Sequence, residues 1–134
     1  MLTARLTQLG LSAGDRVLDL GCGEGRHVHG LYLLGNLDIF GVDLNPDSLK
    51  KAADGLDTLP KPAAAQTGSV TFETGDATAL QFEDDSFDAI ICSEVLEHLP
   101  DYHAALAEMR RVLKPGGRLC VSVPHAWPER ICWQ

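Results

Sequence analysis

The sequence predicts an α/β fold built on a doubly wound parallel sheet. Three observations carry this expectation. Short, nearly continuous apolar runs alternate with amphipathic stretches, the pattern of a parallel sheet covered on both faces. A glycine cluster, Gly21-Cys22-Gly23-Glu24-Gly25, separates the first apolar run from the first long helical stretch. An acidic residue, Asp43, ends the second apolar run. Right-handed crossovers between such runs give the doubly wound form.

The elements follow in chain order. Residues 2–11 read as a short helix with Leu2, Leu6 and Leu9 on one face. Residues 16–20 (RVLDL) form the first strand, and residues 26–34 a helix that Gly35-Asn36 stops. Residues 38–42 form the second strand. Asn45 then caps a helix with Pro46 at its first position, running to about residue 59. Residues 60–69, with two prolines and a run of alanines, read as a flexible loop. The third strand spans residues 70–73 or 70–74 and leads into Gly75-Asp76. A polar link with a solvated pair, Asp84-Asp85, reaches the fourth strand at residues 87–92. Residues 102–113 carry Tyr102, Leu106, Met109 and Leu113 on one helical stripe. Lys114-Pro115-Gly116-Gly117 ends that helix, and residues 118–123 form the fifth strand.

Composition narrows the function classes. The chain has 134 residues, 45% hydrophobic and 22% charged, which fits one folded domain and excludes a disordered chain. Its net charge of −8 argues against a surface made for nucleic-acid backbones. No apolar run approaches the ~20 residues that span a bilayer, and the first ten residues lack the apolar stretch of a signal peptide. Cys22, Cys92, Cys120 and Cys132 form no C-x-x-C pair and show no zinc spacing. They read as small buried hydrophobes in a reducing compartment, and the expected location is the cytoplasm.

The informative stretch is Val17 to His27, where a doubly wound fold binds its ligand. A dinucleotide fingerprint, G-x-G-x-x-G, would place its third glycine at position 26. That position is Arg26, so the spacing here is G-x-G-x-G, preceded by an acid, Asp19. An acid there suits a ligand with a positive amino group better than a pyrophosphate. A nucleotide-dependent oxidoreductase is therefore disfavoured.

This run resembles motif I of the class I S-adenosylmethionine-dependent methyltransferases. Four later runs match in order and spacing: Gly41-Val42-Asp43-Leu44-Asn45, Gly75-Asp76-Ala77, Phe87 to Leu99, and Leu113 to Leu119. Together they resemble the type 11 methyltransferase subgroup over residues 15–124. The resemblance implies a Rossmann-like sheet of strand order 3-2-1-4-5. It implies S-adenosyl-L-methionine as cofactor and S-adenosyl-L-homocysteine as product, with no metal required. It implies a cofactor site formed by Asp19, Gly21, Cys22, Gly23, Gly25, Asp43, Leu44, Asp76, Ala77 and Ser93.

The expected roles have physical content. Asp43 can accept hydrogen bonds from both ribose hydroxyls. Asp19 meets the methionine amino group directly or through water. Asp76 accepts from the adenine amino group, and Ala77 offers its backbone N–H to the ring. Leu44 packs on the adenine face or belongs to the core. His27 stands near the cofactor or on a helix surface, and His98, four residues after Glu94, stands at the mouth of the site. No residue presents itself as a general base.

The implied activity is methyl transfer to an unidentified acceptor, with a small molecule favoured. The alternative is a non-catalytic S-adenosylmethionine-binding module or an inactive methyltransferase fragment. Residues 1–134 are expected to be a single cofactor-binding core, C-terminally truncated and lacking the final antiparallel hairpin. That leaves residues 118–123 as an exposed fifth-strand edge, a candidate surface for a homodimer.

Overall fold

The computed structural model describes residues 9–60, 68–93, 95–122 and 131–133. The sheet contains β1 (Arg16–Leu20), β2 (Asp38–Asp43), β3 (Ser69–Thr74), β4 (Phe87–Ser93), β5 (Leu113–Ser122) and β6 (Ile131–Trp133). Helices α1 (Arg26–Leu34), α2 (Pro46–Asp57) and α3 (Tyr102–Val112) connect them, with a 3-10 turn at Leu96–His98. The strand order is β3-β2-β1-β4-β5-β6. The first five strands run parallel, so the expected 3-2-1-4-5 order holds.

Two expectations change. β6 pairs antiparallel with β5, placing Leu119, Cys120 and Val121 opposite Trp133, Cys132 and Ile131. The sheet therefore does not end in an open fifth-strand edge. A short antiparallel strand covers that edge over three residues, and the premise of edge-to-edge pairing through it falls. The fifth strand also starts earlier than residue 118. α3 stops at Val112, and Leu113 already pairs with Phe87. Lys114-Pro115-Gly116-Gly117 then bulges, with Gly116 at φ 79°, before pairing resumes at Arg118 opposite Ala89. The Pro-Gly-Gly turn is an irregularity inside the strand, and the helix has ended before it. The expected N-terminal helix and the loop after Pro60 lie largely outside the described residues.

Local chemistry explains the helix starts. The Asn45 side chain accepts from the Asp47 N–H at 2.9 Å, with Pro46 at the first position. Asp101 caps α3 through the Ala104 N–H at 3.1 Å. Gly25 begins α1 in the left-handed region at φ 91° without a side-chain cap.

The core forms two layers, one on each face of the sheet. Leu18, Leu20, Ile90, Cys92 and Val121 pack with α3 residues Ala105, Met109 and Val112. Val17, Ile39, Ala89, Ile91 and Cys120 pack with Val28 and Leu31 of α1 and Leu49 of α2. Each fully buried aliphatic side chain of this kind is worth about 1.5–3 kcal/mol. Strand alternation puts Asp19 on the face of Val17, toward α1. A carboxylate thus occupies a core position at the end of β1 where the flanking residues are apolar.

Candidate functional site

β1 and β4 pair side by side, but the chain after β1 leads to α1 on one face and the chain after β4 to α3 on the other, and a crevice opens between these connections. A cleft of about 330 Å³ opens there. Its floor is Leu20 and Gly21 from the end of β1. One wall is Val42, Asp43 and Leu44 at the tip of β2 together with Gly75 and Ala77 after β3. The other is Ser93, Val95, His98 and Leu99 after β4.

The glycine loop is wired to the β2 tip. The Gly21 and Cys22 N–H groups donate to the Val42 carbonyl at 2.7 and 3.0 Å. Gly23 N–H donates to Asp43 Oδ2 at 2.9 Å, and Asn45 N–H donates to Asp43 Oδ1 at 2.9 Å. Asp43 therefore ties two turns together. Each of its oxygens has a second lone pair, so the carboxylate can still accept from a ligand.

The three glycines do different things. A Cβ on Gly21 would run into the Val95 side chain, so Gly21 lets the two walls meet. A Cβ on Gly25 would press on Ala52 and on the His29 ring at 2.9 Å, so Gly25 lets α1 approach α2. A Cβ on Gly23, at φ 56°, would meet nothing within 4 Å. Gly23 alone leaves open space beside the loop.

Asp19 is buried, with 1% of its surface exposed, and its Oδ2 has no hydrogen-bond partner. Burial pushes its pKa up to about 8; Arg26 at the start of α1 pulls the other way, and Asp43 adds to the rise. A buried carboxyl with an orphaned oxygen is costly unless a donor or cation completes it. The Cys22 thiol, also buried, is pushed well above its ordinary pKa, chiefly by burial and then by Asp19 and Asp43. It is an unreactive packing residue and does not line the cleft.

Of the ten residues the sequence proposes, Gly21, Asp43, Leu44, Ala77 and Ser93 line the cleft. Leu44 is 66% exposed and belongs to no core layer. The Ser93 hydroxyl lies 2.8 Å from that of Ser122 on β5. Asp76 is exposed, does not line the cleft and closes a tight local turn. Its Oδ1 accepts from the Thr78 N–H and hydroxyl at 2.8 and 2.7 Å, and these bonds lower its pKa. His27 is buried in α1 and not on a helix surface. His29 bridges helices through Nε2 and the Ala52 carbonyl, 2.8 Å apart. His98 stands at the cleft, as expected, but on a 3-10 turn.

The sequence missed Val95 and Leu99. Their signal was an apolar pair four apart directly after a strand end, a spacing that reads as helix core. Val95 instead precedes the 3-10 turn and leans over Gly21.

A family model described as a methyltransferase domain matches residues 11–133. The chain belongs to the class I S-adenosylmethionine-dependent methyltransferases. The 27-O-demethylrifamycin SV methyltransferase of Amycolatopsis mediterranei is 36% identical over 121 residues. That match covers 90% of this chain and 43% of the relative, so the chain spans less than half the relative's length. A solved S-adenosylmethionine-dependent methyltransferase from Methanosarcina mazei superposes with a TM-score of 0.77 at 27% identity, over 90% of this chain and 57% of its own. The [4+2]-cyclase SpnF gives 0.72 at 31% identity, over 86% and 40%. The family's cofactor is S-adenosylmethionine, and the residues present fit it. The orphaned Asp19 oxygen calls for a cation or donor, the space beside Gly23 admits a chain, and Asp43 and Leu44 offer an acceptor and an apolar face.

Proposed function

We propose that the chain is a single S-adenosylmethionine-binding core that serves methyl transfer to a small-molecule acceptor. The observation that carries this reading is the pair of carboxylates flanking the glycine loop. Asp43 stands at the cleft with lone pairs to spare, and Asp19 lies buried behind the loop with an oxygen unsatisfied. A ligand with a hydroxyl-bearing ribose at one end and a cationic amino acid at the other matches that pair.

When bound, the cofactor supplies an activated methyl group on a sulfonium centre with a good leaving group. The chain's own task is then position and exclusion. Asp43 holds the ribose hydroxyls, and its bond to Gly23 fixes the loop at the same time. Asp19 receives the ammonium, and Gly21, Cys22, Gly23 and Gly25 shape the loop between them. Leu44 covers one face of the adenine. Ala77 and Asp76 stand at the adenine edge, Ala77 through its backbone and Asp76 as a weaker, solvent-screened contact. Val95 and Leu99 keep water from the cleft, Ser93 borders it, and His98 stands where an acceptor would enter.

A small acceptor is supported by relatives named as a 27-O-demethylrifamycin SV methyltransferase and a ubiquinone biosynthesis O-methyltransferase. The acidic chain gives no support to a nucleic-acid acceptor. The test is transfer of a labelled methyl group from S-adenosylmethionine into fractionated cell extract. Label in the low-molecular-weight fraction is the expected result. Label in protein or nucleic acid alone, or none despite bound cofactor, contradicts the acceptor class or the catalytic reading respectively.

A further inference from the structure

The start of the cleft wall after β3 is held locally, by the Gly75 N–H on the Asp43 carbonyl at 3.1 Å and the Ala79 N–H on the Asp76 carbonyl at 3.0 Å. Between Gly75 and Ser86 the chain forms an irregular loop carrying Ala77, and its outer half is gripped from α3. Arg111 Nη2 donates to the Leu80 carbonyl at 3.0 Å, and Nη1 donates to the Phe82 carbonyl at 2.8 Å and to Asp84 Oδ1 at 2.9 Å. Arg111 Nε donates to Glu108 Oε2 at 2.7 Å. Glu108 Oε1 in turn accepts the Leu80 N–H at 2.8 Å. Both backbone polar groups of Leu80 are thus taken by one ion pair, three residues after Ala77. Leu80 and Ala77 are each 7% exposed, so the loop is pinned against the core at both points.

We propose that Glu108 and Arg111 are positioning residues for the adenine edge of the cleft. They touch no ligand. They fix the Leu80 peptide and thereby the backbone of Ala77, and so set recognition of the purine. The proposal rests on the cofactor reading given above. Adenine N1 accepts a hydrogen bond, whereas the hypoxanthine ring of S-inosylhomocysteine carries a hydrogen there and repels a facing N–H. Asp76, on the same loop, likewise loses the amino donor when hypoxanthine replaces adenine, so the ratio of the two affinities reports the placement of this loop, and a general loss of stability does not change it.

The experiment is calorimetric titration of S-adenosylhomocysteine and S-inosylhomocysteine into the full chain and three variants. Arg111→Lys keeps the charge and loses the planar fork. Glu108→Gln keeps the shape and the acceptor for Leu80. Lys114→Ala removes an ion pair to Asp88, 3.3 Å long, at the opposite end of the sheet and serves as a matched structural control. The wild type is expected to prefer the adenine compound at least ~tenfold. In Arg111→Lys that preference shrinks toward one, in Glu108→Gln it falls less, and in Lys114→Ala it is unchanged. An unchanged ratio in both clamp variants, or no preference in the wild type, overturns the proposal. A wild type that binds neither compound instead overturns the cofactor reading on which the proposal rests.

Discussion

The two sides of the cleft are held in opposite ways. The glycine loop and the β2 tip are bonded to each other directly. Val42 accepts from Gly21 and Cys22, and Asp43 accepts from Gly23 and Asn45, so four short bonds close the whole unit. The wall after β3 has only a small turn of its own, at Asp76–Ala79, and one bond from the Gly75 N–H to the Asp43 carbonyl. Beyond that turn it depends on Glu108 and Arg111, about thirty residues further along the chain. The comparison teaches that one half of a binding site can be specified by a local motif while the other half is set by tertiary structure.

The largest expected effect comes from joining the halves badly. Gly21→Val adds a side chain where Val95 already sits and does so at φ 71°. It should cost about 3 kcal/mol or more, read as a lower denaturant midpoint. A cost below ~1 kcal/mol would show that the two walls do not meet at Gly21.

Asp19→Asn comes next. The folded protein holds the Asp19 proton up to about pH 8, while an unfolded carboxyl releases it near the ordinary value of 3.8. Between those pH values the folded state binds more protons. Its stability is therefore full below about pH 4 and falls as pH rises toward 8. Asparagine removes that loss. The ligand-free variant should be about 1–3 kcal/mol more stable than wild type at pH 8 and show no gain at pH 4. It should also bind S-adenosylmethionine more weakly. Parallel pH–stability curves for the two proteins would place Asp19 in a solvated or already paired setting.

Gly23→Asn is the smallest change to the fold. Asparagine tolerates the left-handed backbone, and the space beside Gly23 is open. Thermal stability should move by less than about 1 kcal/mol, while cofactor affinity falls at least ~tenfold as the side chain fills that space. Retained affinity would make Gly23 only a turn residue.

The same contrast explains what the sequence made legible. β1 and α1 lie at their expected bounds because a short apolar run, the glycine cluster after it and the Gly35-Asn36 stop are local signals. The glycine loop and Asp43 were legible for the same reason. Asp76 was read from its neighbours as a site residue; that Thr78 two residues on bonds one of its carboxylate oxygens was not legible. Val95 and Leu99 were missed because an apolar i,i+4 pair has the same spacing in a core helix as in this turn. Arg111 gave no signal at all. An Arg110-Arg111 pair at the end of an amphipathic helix reads as a solvated face, and the partners of Arg111 at Leu80, Phe82 and Asp84 are separated from it by a strand. The short β6 strand was missed because three residues carry too little periodicity to identify pairing.

Asp43 closes the glycine loop, and in the function proposed above it also holds the ribose of S-adenosylmethionine. Titration calorimetry of S-adenosylhomocysteine into wild type and Asp43→Ala tests it most directly. The account predicts binding in the micromolar range for wild type, weakened by about 1.5–3 kcal/mol in the variant, since two hydroxyls lose a charged acceptor. Equal affinities in the two proteins would contradict it.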